Sequence, residues 1–391
     1  MSETEKAETT KVSSPAVPVL LTAARWLAVL GALYLLISAV SVVGRGFRAL
    51  GDDTAQQLFS FADNPLVGLA VGILATVLIQ SSTTTTAVAV TAVGTGALEL
   101  QHAIPIIMGA NVGTTVTCTF VALGFVGDKA DFKRALAGST IHDFYNLLAL
   151  AIFFPLELLF HPLQRISGWL TQLLYGANLP NPGNSGLLRT VTSPLVNGVT
   201  SILGGIGSQV TGAALVIIAG VAMIFFAVQW LSHFLKILMV GRARGVLTTA
   251  VAHDPARAMA AGFGVTLATQ SSTVTNSILV PFVGTGTITP KQLYPVTLGA
   301  NLGTTLTALL AAFAVTGGDA RIGLQAAFVH VVYNVLAIIV IFVIPILRPV
   351  PLWLATKLGE KSAEDKRSLA AYVVGVFMVL PALVIGLSLL F

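Results

Sequence analysis

Charge is what this sequence has least of. Asp, Glu, Lys and Arg make up 9% of its 391 residues, whereas soluble domains carry about 25%. That shortage excludes a soluble globular domain and leaves an integral membrane protein, in keeping with a 55% hydrophobic content. Cysteine is nearly absent too, Cys118 standing alone in an apolar run. An intrachain disulfide and a cysteine metal cage are thereby excluded. The apolar stretches are long and recur to the end of the chain, which a membrane β-barrel, with its weak alternating segments, does not produce. The formal net charge of +5 bears on orientation in a bilayer before it bears on nucleic acid, and no nucleic-acid partner is expected.

Polar sequence is confined to a few places. "MSETEKAETTKVSS" opens the chain, and residues 1–15 are expected to form a disordered cytoplasmic tail. The apolar run 16–43 behind it is too long, too far in and without a clear cleavage site to be a signal peptide. Spanning helices of roughly 20 residues or more are expected at 16–43, 103–125, 135–159, 210–238, 293–315, 324–346 and 370–391. The Pro/Gly/Asn-rich stretch 161–209, with "GANLPNPGNSG" inside it, is expected as a long extracellular or periplasmic loop.

Two apolar segments, around 65–94 and 258–284, are interrupted at mid-depth by polar clusters. They belong to an internal repeat. "GILATVLIQSS" (Gly72–Ser82) matches "GFGVTLATQSS" (Gly262–Ser272) at a spacing of 190 residues. "GTG" at Gly94 and at Gly284, then "MGANVGTTVT" (Met108–Thr117) and "LGANLGTTLT" (Leu298–Thr307), keep that spacing; "HDFYN" (His142–Asn146) and "HVVYN" (His330–Asn334) follow at 188. The repeated unit covers about 65–159 and again 258–346.

The half-segment before Gln80 is ~24 Å of helix and the one after it ~18 Å, and neither crosses ~30 Å of hydrocarbon. If both segments turn back and the N-terminus is cytoplasmic, only Arg45, Arg48, Arg165, Arg189 and Arg321 of the 21 Lys and Arg residues lie outside. If both cross, the split is nearly even. The positive-inside rule therefore favours re-entrant hairpins. Three crossings then separate them, which inverts the second repeat relative to the first. The expected fold is an all-α integral membrane protein with two inverted repeats, each with a re-entrant helical hairpin and a broken transmembrane helix, about seven spanning helices plus two hairpins. Such repeats, meeting near the midplane, are the architecture of secondary transporters.

The polar clusters have matching chemistry. Irregular chain at membrane depth is tolerated only against protein or a water-filled cavity. Each tip precedes a short helix whose N-terminus suits an anion, with Ser81, Ser82, Thr83, Ser271, Ser272 and Thr273 adding donors. The same hydroxyls, with Gln80, Gln270 and freed carbonyls, offer uncharged oxygens to a small monovalent cation. Gly109, Gly113, Gly299 and Gly303 are expected to loosen the "GANVGTT" and "GANLGTT" helices, where Asn111, Asn301, Thr114, Thr115, Thr304 and Thr305 supply further ligands. Neither cluster holds Lys or Arg, so an anion there needs a co-bound cation to offset its charge. Plain packing competes with this reading for any single Ser or Thr, since both are common between transmembrane helices. His142, Asn146, His330 and Asn334 share helix faces and suit inter-helix bonding. Asp143, with Val331 at the matching place, is left open as a cation site, a proton site or an ion-pair partner.

The paired "QSS" segments, "GANVGTT", and "FKRALAGSTIHDFYNLL" followed by "FFPLELL" resemble the type II sodium-phosphate cotransporters, solute carrier family 34 and their bacterial relatives, over about 65–346. The resemblance implies inward symport of inorganic phosphate with co-transported sodium, and no enzymatic activity. Carried over by position, Gln80, Ser81, Ser82, Gln270, Ser271 and Ser272 line the phosphate and sodium sites. Thr83 and Thr273 depart from the family's third serine but keep a hydroxyl. A multi-pass protein of the cell inner membrane or plasma membrane is implied, and a homo-oligomer stays open. A symporter of another oxyanion or a dicarboxylate, a membrane-embedded serine hydrolase or transferase, and a channel are the competing readings.

Overall fold

The computed structural model describes residues 16–176, 186–252, 254–315, 320–388 and 390, and places them in helices and turns without a strand. The tail 1–15 lies outside the described residues. α1 (Ala16–Leu50) is followed by a short α2 (Asp52–Phe59). α3 (Pro65–Ile79) and α4 (Ser82–Gly94) are the halves of the first interrupted segment. α5 (Leu100–Gly113), α6 (Val116–Ala122) and α7 (Lys129–Phe160) complete the first repeat. α8 (Pro162–Gly176) and α9 (Gly186–Gly204) stand between the repeats. α10 (Gln209–Val251), α11 (Pro255–Thr269), α12 (Ser272–Gly284), α13 (Pro290–Ala314) and α14 (Ala320–Ala337) restate the order of α1, α3, α4, α5–α6 and α7. α15 (Pro349–Glu364), α16 (Arg367–Val374) and α17 (Leu380–Ser388) close the chain. Among the described residues, seven helices are long and apolar enough to cross a membrane, and they coincide with the seven expected segments.

The start and stop signals are repeated as well. Asn64 caps α3 by accepting the N–H of Leu66 at 3.0 Å, and Asp254 caps α11 through the N–H of Arg257 at 2.9 Å. Each is followed by a proline at the first helical position, Pro65 or Pro255, where the missing N–H costs nothing. Both α4 and α12 end in Gly-Thr-Gly, and the second glycine takes a left-handed turn, φ 80° at Gly96 and 78° at Gly286. The likeness extends beyond the expected bounds. "VGRGFRAL" (Val43–Leu50) ends α1 and "VGRARGVL" (Val240–Leu247) lies near the end of α10, and these two helices pack on each other through Gly46 against Ile217 and Gly220 against Val43.

The motif glycines do not unwind their helices. A β-carbon on Gly72 would clash with the carbonyl of Ile106, and one on Gly262 with that of Val296. Gly109 abuts Leu69 O, and Gly299 abuts Met259 O. These pairs are equivalent at the 190-residue spacing, so the glycines let α5 lie against α3, and α13 against α11, backbone to backbone. The expected broken helix is corrected accordingly. In the first repeat only a turn at Thr114–Thr115 separates α5 from α6, with right-handed helical angles kept. In the second, α13 runs unbroken through "GANLGTT". Two further differences concern connections. The stretch expected as a loop holds α8 and α9, and most of "GANLPNPGNSG" lies outside the described residues. α15 is absent from the expected segments; it packs on α7, with Lys133 and Glu360 paired at 3.0 Å.

The repeats interlock. α4 packs on α13 and α14, and α12 packs on α6 and α7. Gly94 meets Val315, and the equivalent Gly284 meets Phe125, the equivalent of Val315. Reciprocal contacts of this kind are those of a two-fold axis between two like units.

Candidate functional site

Each tip is built by one residue in an unusual conformation. Gln80 has φ 58° and ψ 29°, and Gln270 has φ 53° and ψ 30°. Left-handed backbone is uncommon for a side chain other than glycine, asparagine or aspartate. The side chain is what holds it there. Gln80 Nε2 donates to Val77 O at 2.6 Å while its Oε1 accepts from Thr117 Oγ1 at 2.6 Å. Gln270 does the same with Leu267 O at 2.7 Å and Thr307 at 2.5 Å. Non-glycine strain of this sort collects at functional sites.

After each glutamine the chain bends sharply. Ser81 accepts the N–H of Thr84 at 3.2 Å, and Ser271 that of Val274 at 3.2 Å, capping α4 and α12. Thr76 then meets Thr85 at 3.0 Å, and Thr266 meets Thr275 at 2.7 Å. Partners nine residues apart would stand about 13.5 Å apart along a straight helix. The N-termini of α4 and α12 thus lie at the bends.

The expected ligands fall into four groups. Ser81, Ser271, Gln80 and Gln270 shape the tips, with hydroxyl or amide already engaged. Thr114 and Thr304 bond back to Ala110 O and Ala300 O, and Thr115 and Thr305 to Val112 O and Leu302 O, at 2.7–3.1 Å. Ser82, Thr83 and Ser272 are buried, Thr273 is half-buried, and among the described residues their hydroxyls carry no hydrogen bond. These four are the free donors of the two tips.

Asn111 and Asn301 lie elsewhere, in a buried knot between the repeats. Asn301 Nδ2 donates to Asn146 Oδ1 at 2.9 Å and to Asn334 Oδ1 at 2.7 Å. Asn111 Nδ2 reaches the same two oxygens at 3.4 and 3.2 Å. Asn146 Nδ2 donates to Asn111 O at 3.0 Å, and Asn334 Nδ2 to His330 O at 2.9 Å. His330 adds a 3.3 Å contact to Asn111. Four helices, α5, α7, α13 and α14, are joined here. Asp143 is fully buried; Tyr372 donates to its Oδ2 at 3.3 Å while Oδ1 has no partner. Among the described residues no three His, Cys, Asp or Glu side chains are placed to hold a metal ion, so any cation at the tips would meet neutral oxygens.

Three contributions escape a sequence reading. Thr117 and Thr307 brace the glutamines; they are the last threonines of the repeated "GTTVT" and "GTTLT", and that repetition is the signal. Asn276 is 3% exposed with neither amide atom paired, and at the equivalent place Thr86 Oγ1 is unpaired as well. Ser232 of α10 donates to Gln270 O at 3.1 Å, a contact between segments with no motif in common.

Paired bent segments with like polar tips, held between long scaffold helices, define a carrier of the secondary-transporter class. The family model described as Na+/Pi-cotransporter matches residues 35–173 and 223–390, and the chain belongs to that family. It is 32% identical to sodium-dependent phosphate transport protein 2A of Rattus norvegicus, over 92% of this chain and 67% of that protein. It is 30% identical to sodium-dependent phosphate transport protein 2B of Homo sapiens, over 93% of this chain and 65% of that one. The chain thus spans about two thirds of the length of these relatives. No solved structure matches it.

Proposed function

We propose that this chain is a multi-pass symporter that carries inorganic phosphate into the cell together with sodium. The observation that supports this most is the pair of tips, with Ser82, Thr83, Ser272 and Thr273 uncommitted at the N-termini of α4 and α12. Helix N-termini bind phosphate oxygens through N–H groups and dipole. Tip carbonyls and the glutamine amide oxygens are neutral ligands that suit sodium. With no Lys or Arg at the tips, phosphate charge is offset by the co-bound cation, which makes the coupling obligatory.

In this reading the bent segments are re-entrant hairpins, and the axis between the repeats lies in the membrane plane. The N-terminus is cytoplasmic, and the protein sits in the inner or plasma membrane. Sodium orders the tips first, phosphate closes the site, and the repeats then move against α1 and α10 to expose it on the other side. The asparagine knot, which now consumes Asn111 and Asn301, opens during that movement. A hydrolase gains no support, because Ser81 and Ser271 serve as caps and His330 sits at the knot.

Uptake of labelled phosphate into proteoliposomes tests the proposal, with an inward sodium gradient and with potassium in its place. Accumulation only with sodium is the expected result. Equal uptake under both gradients, or none under either, overturns it, and sulfate, arsenate and dicarboxylates in the same assay decide the substrate.

A further inference from the structure

Three tyrosines stand in the membrane-embedded core with their hydroxyls unaccounted for. Tyr145 on α7, Tyr294 on α13 and Tyr333 on α14 are 0%, 2% and 0% exposed. None of the three hydroxyl oxygens has a hydrogen-bond partner among the described residues. A buried tyrosine normally finds a partner for its O–H, and orphaned buried polar atoms are rare enough that each calls for a reason. Three in one cluster call for a shared one.

They do form one cluster. The rings of Tyr145 and Tyr294 lie edge-on with centroids 6.2 Å apart, and Tyr333 belongs to the same buried cluster. Both repeats contribute. Tyr145 and Tyr333 occupy equivalent positions, each one residue before an asparagine of the central knot. Tyr294 breaks the equivalence, since Ile104 stands at the matching place in the first repeat.

The surroundings indicate what such donors could hold. Met108, Phe153, Leu298 and Phe342 belong to the same cluster, and none of these side chains is a strong acceptor. A positive charge stands at the edge of the cluster. Arg348 lies over the Phe342 ring at 4.2 Å, and that ring meets Tyr294 with centroids 5.4 Å apart. Several O–H donors, apolar neighbours and a guanidinium at the edge match an anion. Full burial among close-packed rings favours a monatomic ion over a tetrahedral oxyanion. We propose that Tyr145, Tyr294 and Tyr333 together hold a single halide ion, chloride in the cell, as a fixed anion between the repeats and apart from the transport tips.

The test uses the purified full chain in sodium gluconate, with sodium bromide or chloride replacing gluconate at constant ionic strength. Halide raises the unfolding temperature with the logarithm of its concentration above its dissociation constant, by about 3 °C at ten times that constant. Tyr145→Phe and Tyr333→Phe keep the rings and weaken halide binding by about tenfold each. Tyr294→Phe does the same and is informative even if the paired positions prove essential for folding. A crystal grown in bromide shows an anomalous peak among the three rings. An identical halide response in the wild type and all three variants, or bromide crystals with no peak there, overturns the proposal and leaves the phenols to buried water. A response to inorganic phosphate but not to halide also overturns it, in favour of a second phosphate site.

Discussion

The two tips are the same object in two settings. Every local device is duplicated: the left-handed glutamine, its amide bonds to Val77 and Thr117 or to Leu267 and Thr307, the serine cap, and the threonine pair across the bend. What differs is the cover. Gln80 is exposed, whereas Gln270 is 9% exposed and its carbonyl accepts from Ser232 of α10. The brace follows suit, Thr117 to Gln80 lying at the surface and Thr307 to Gln270 inside. Local sequence thus fixes the shape of a tip, while its access is set by which scaffold helix stands over it.

If the halves are built alike, the largest effects come from sites where both depend on the same close approach. Gly72→Ala and Gly262→Ala each drive a β-carbon into a backbone carbonyl, of Ile106 or of Val296. Neither carbonyl can move without its helix, so each change costs about 3 kcal/mol or more. Both variants are expected to lose the folded, monodisperse protein, read by size-exclusion chromatography and thermal unfolding. A wild-type unfolding temperature in either one would show that its repeat is not packed in this way.

The asparagine knot comes next, and here the halves diverge. Asn301 donates at 2.9 and 2.7 Å, Asn111 to the same acceptors at 3.4 and 3.2 Å. Asn301→Leu is expected to cost about 3 kcal/mol and Asn111→Leu about 2, because each removes one of two donors from the same buried amide oxygens and the shorter bonds are the better ones. Chemical or thermal unfolding of the two variants measures the order, and a reversed order would assign the knot's strength to the first repeat.

Much of this architecture is legible in the residues alone. The seven spans follow from hydropathy, and the repeat from polar residues and glycines kept at one spacing while apolar neighbours vary. The caps at Asn64 and Asp254, unlike in residue type, show only in the structure. Other features have no one-dimensional trace. A glycine that loosens a helix and one that admits a neighbouring backbone look alike in sequence, so Gly109 and Gly299 suggest unwinding where the chain packs. The knot joins Asn111 to Asn334, 223 residues apart. Nothing short of the fold shows that Asn111 and Asn301 are spent on amides of both repeats. α15 is obscured by Pro349, Pro351 and its charged residues, which dilute a hydropathy window although Gly359 fits closely against α7.

Access at the tips is a subtler difference, and thiol labelling reads it. Cys118 is 1% exposed and gives little background. Gln80→Cys is expected to react about tenfold faster than Gln270→Cys, the ratio set by the extra opening the covered tip must undergo. Equal rates would mean that α10 does not shield the second tip.

The smallest expected effect isolates the cause. At the spacing that aligns Val43 with Val240, Ser232 of α10 corresponds to Leu35 of α1. Leu35 packs against the apolar core and has no hydroxyl to offer a tip. Ser232→Ala therefore makes the two scaffold helices alike at this point. The lost hydrogen bond is worth about 1 kcal/mol, which corresponds to about fivefold in the population of an open second tip. In the Ser232→Ala background, labelling at Gln270→Cys is expected to rise by that factor while labelling at Gln80→Cys stays constant. A rise at both positions would mean that the change loosens the scaffold as a whole. No rise at either would mean that α10 covers the second tip by packing alone, with the Ser232 bond a consequence of closure and not a cause of it.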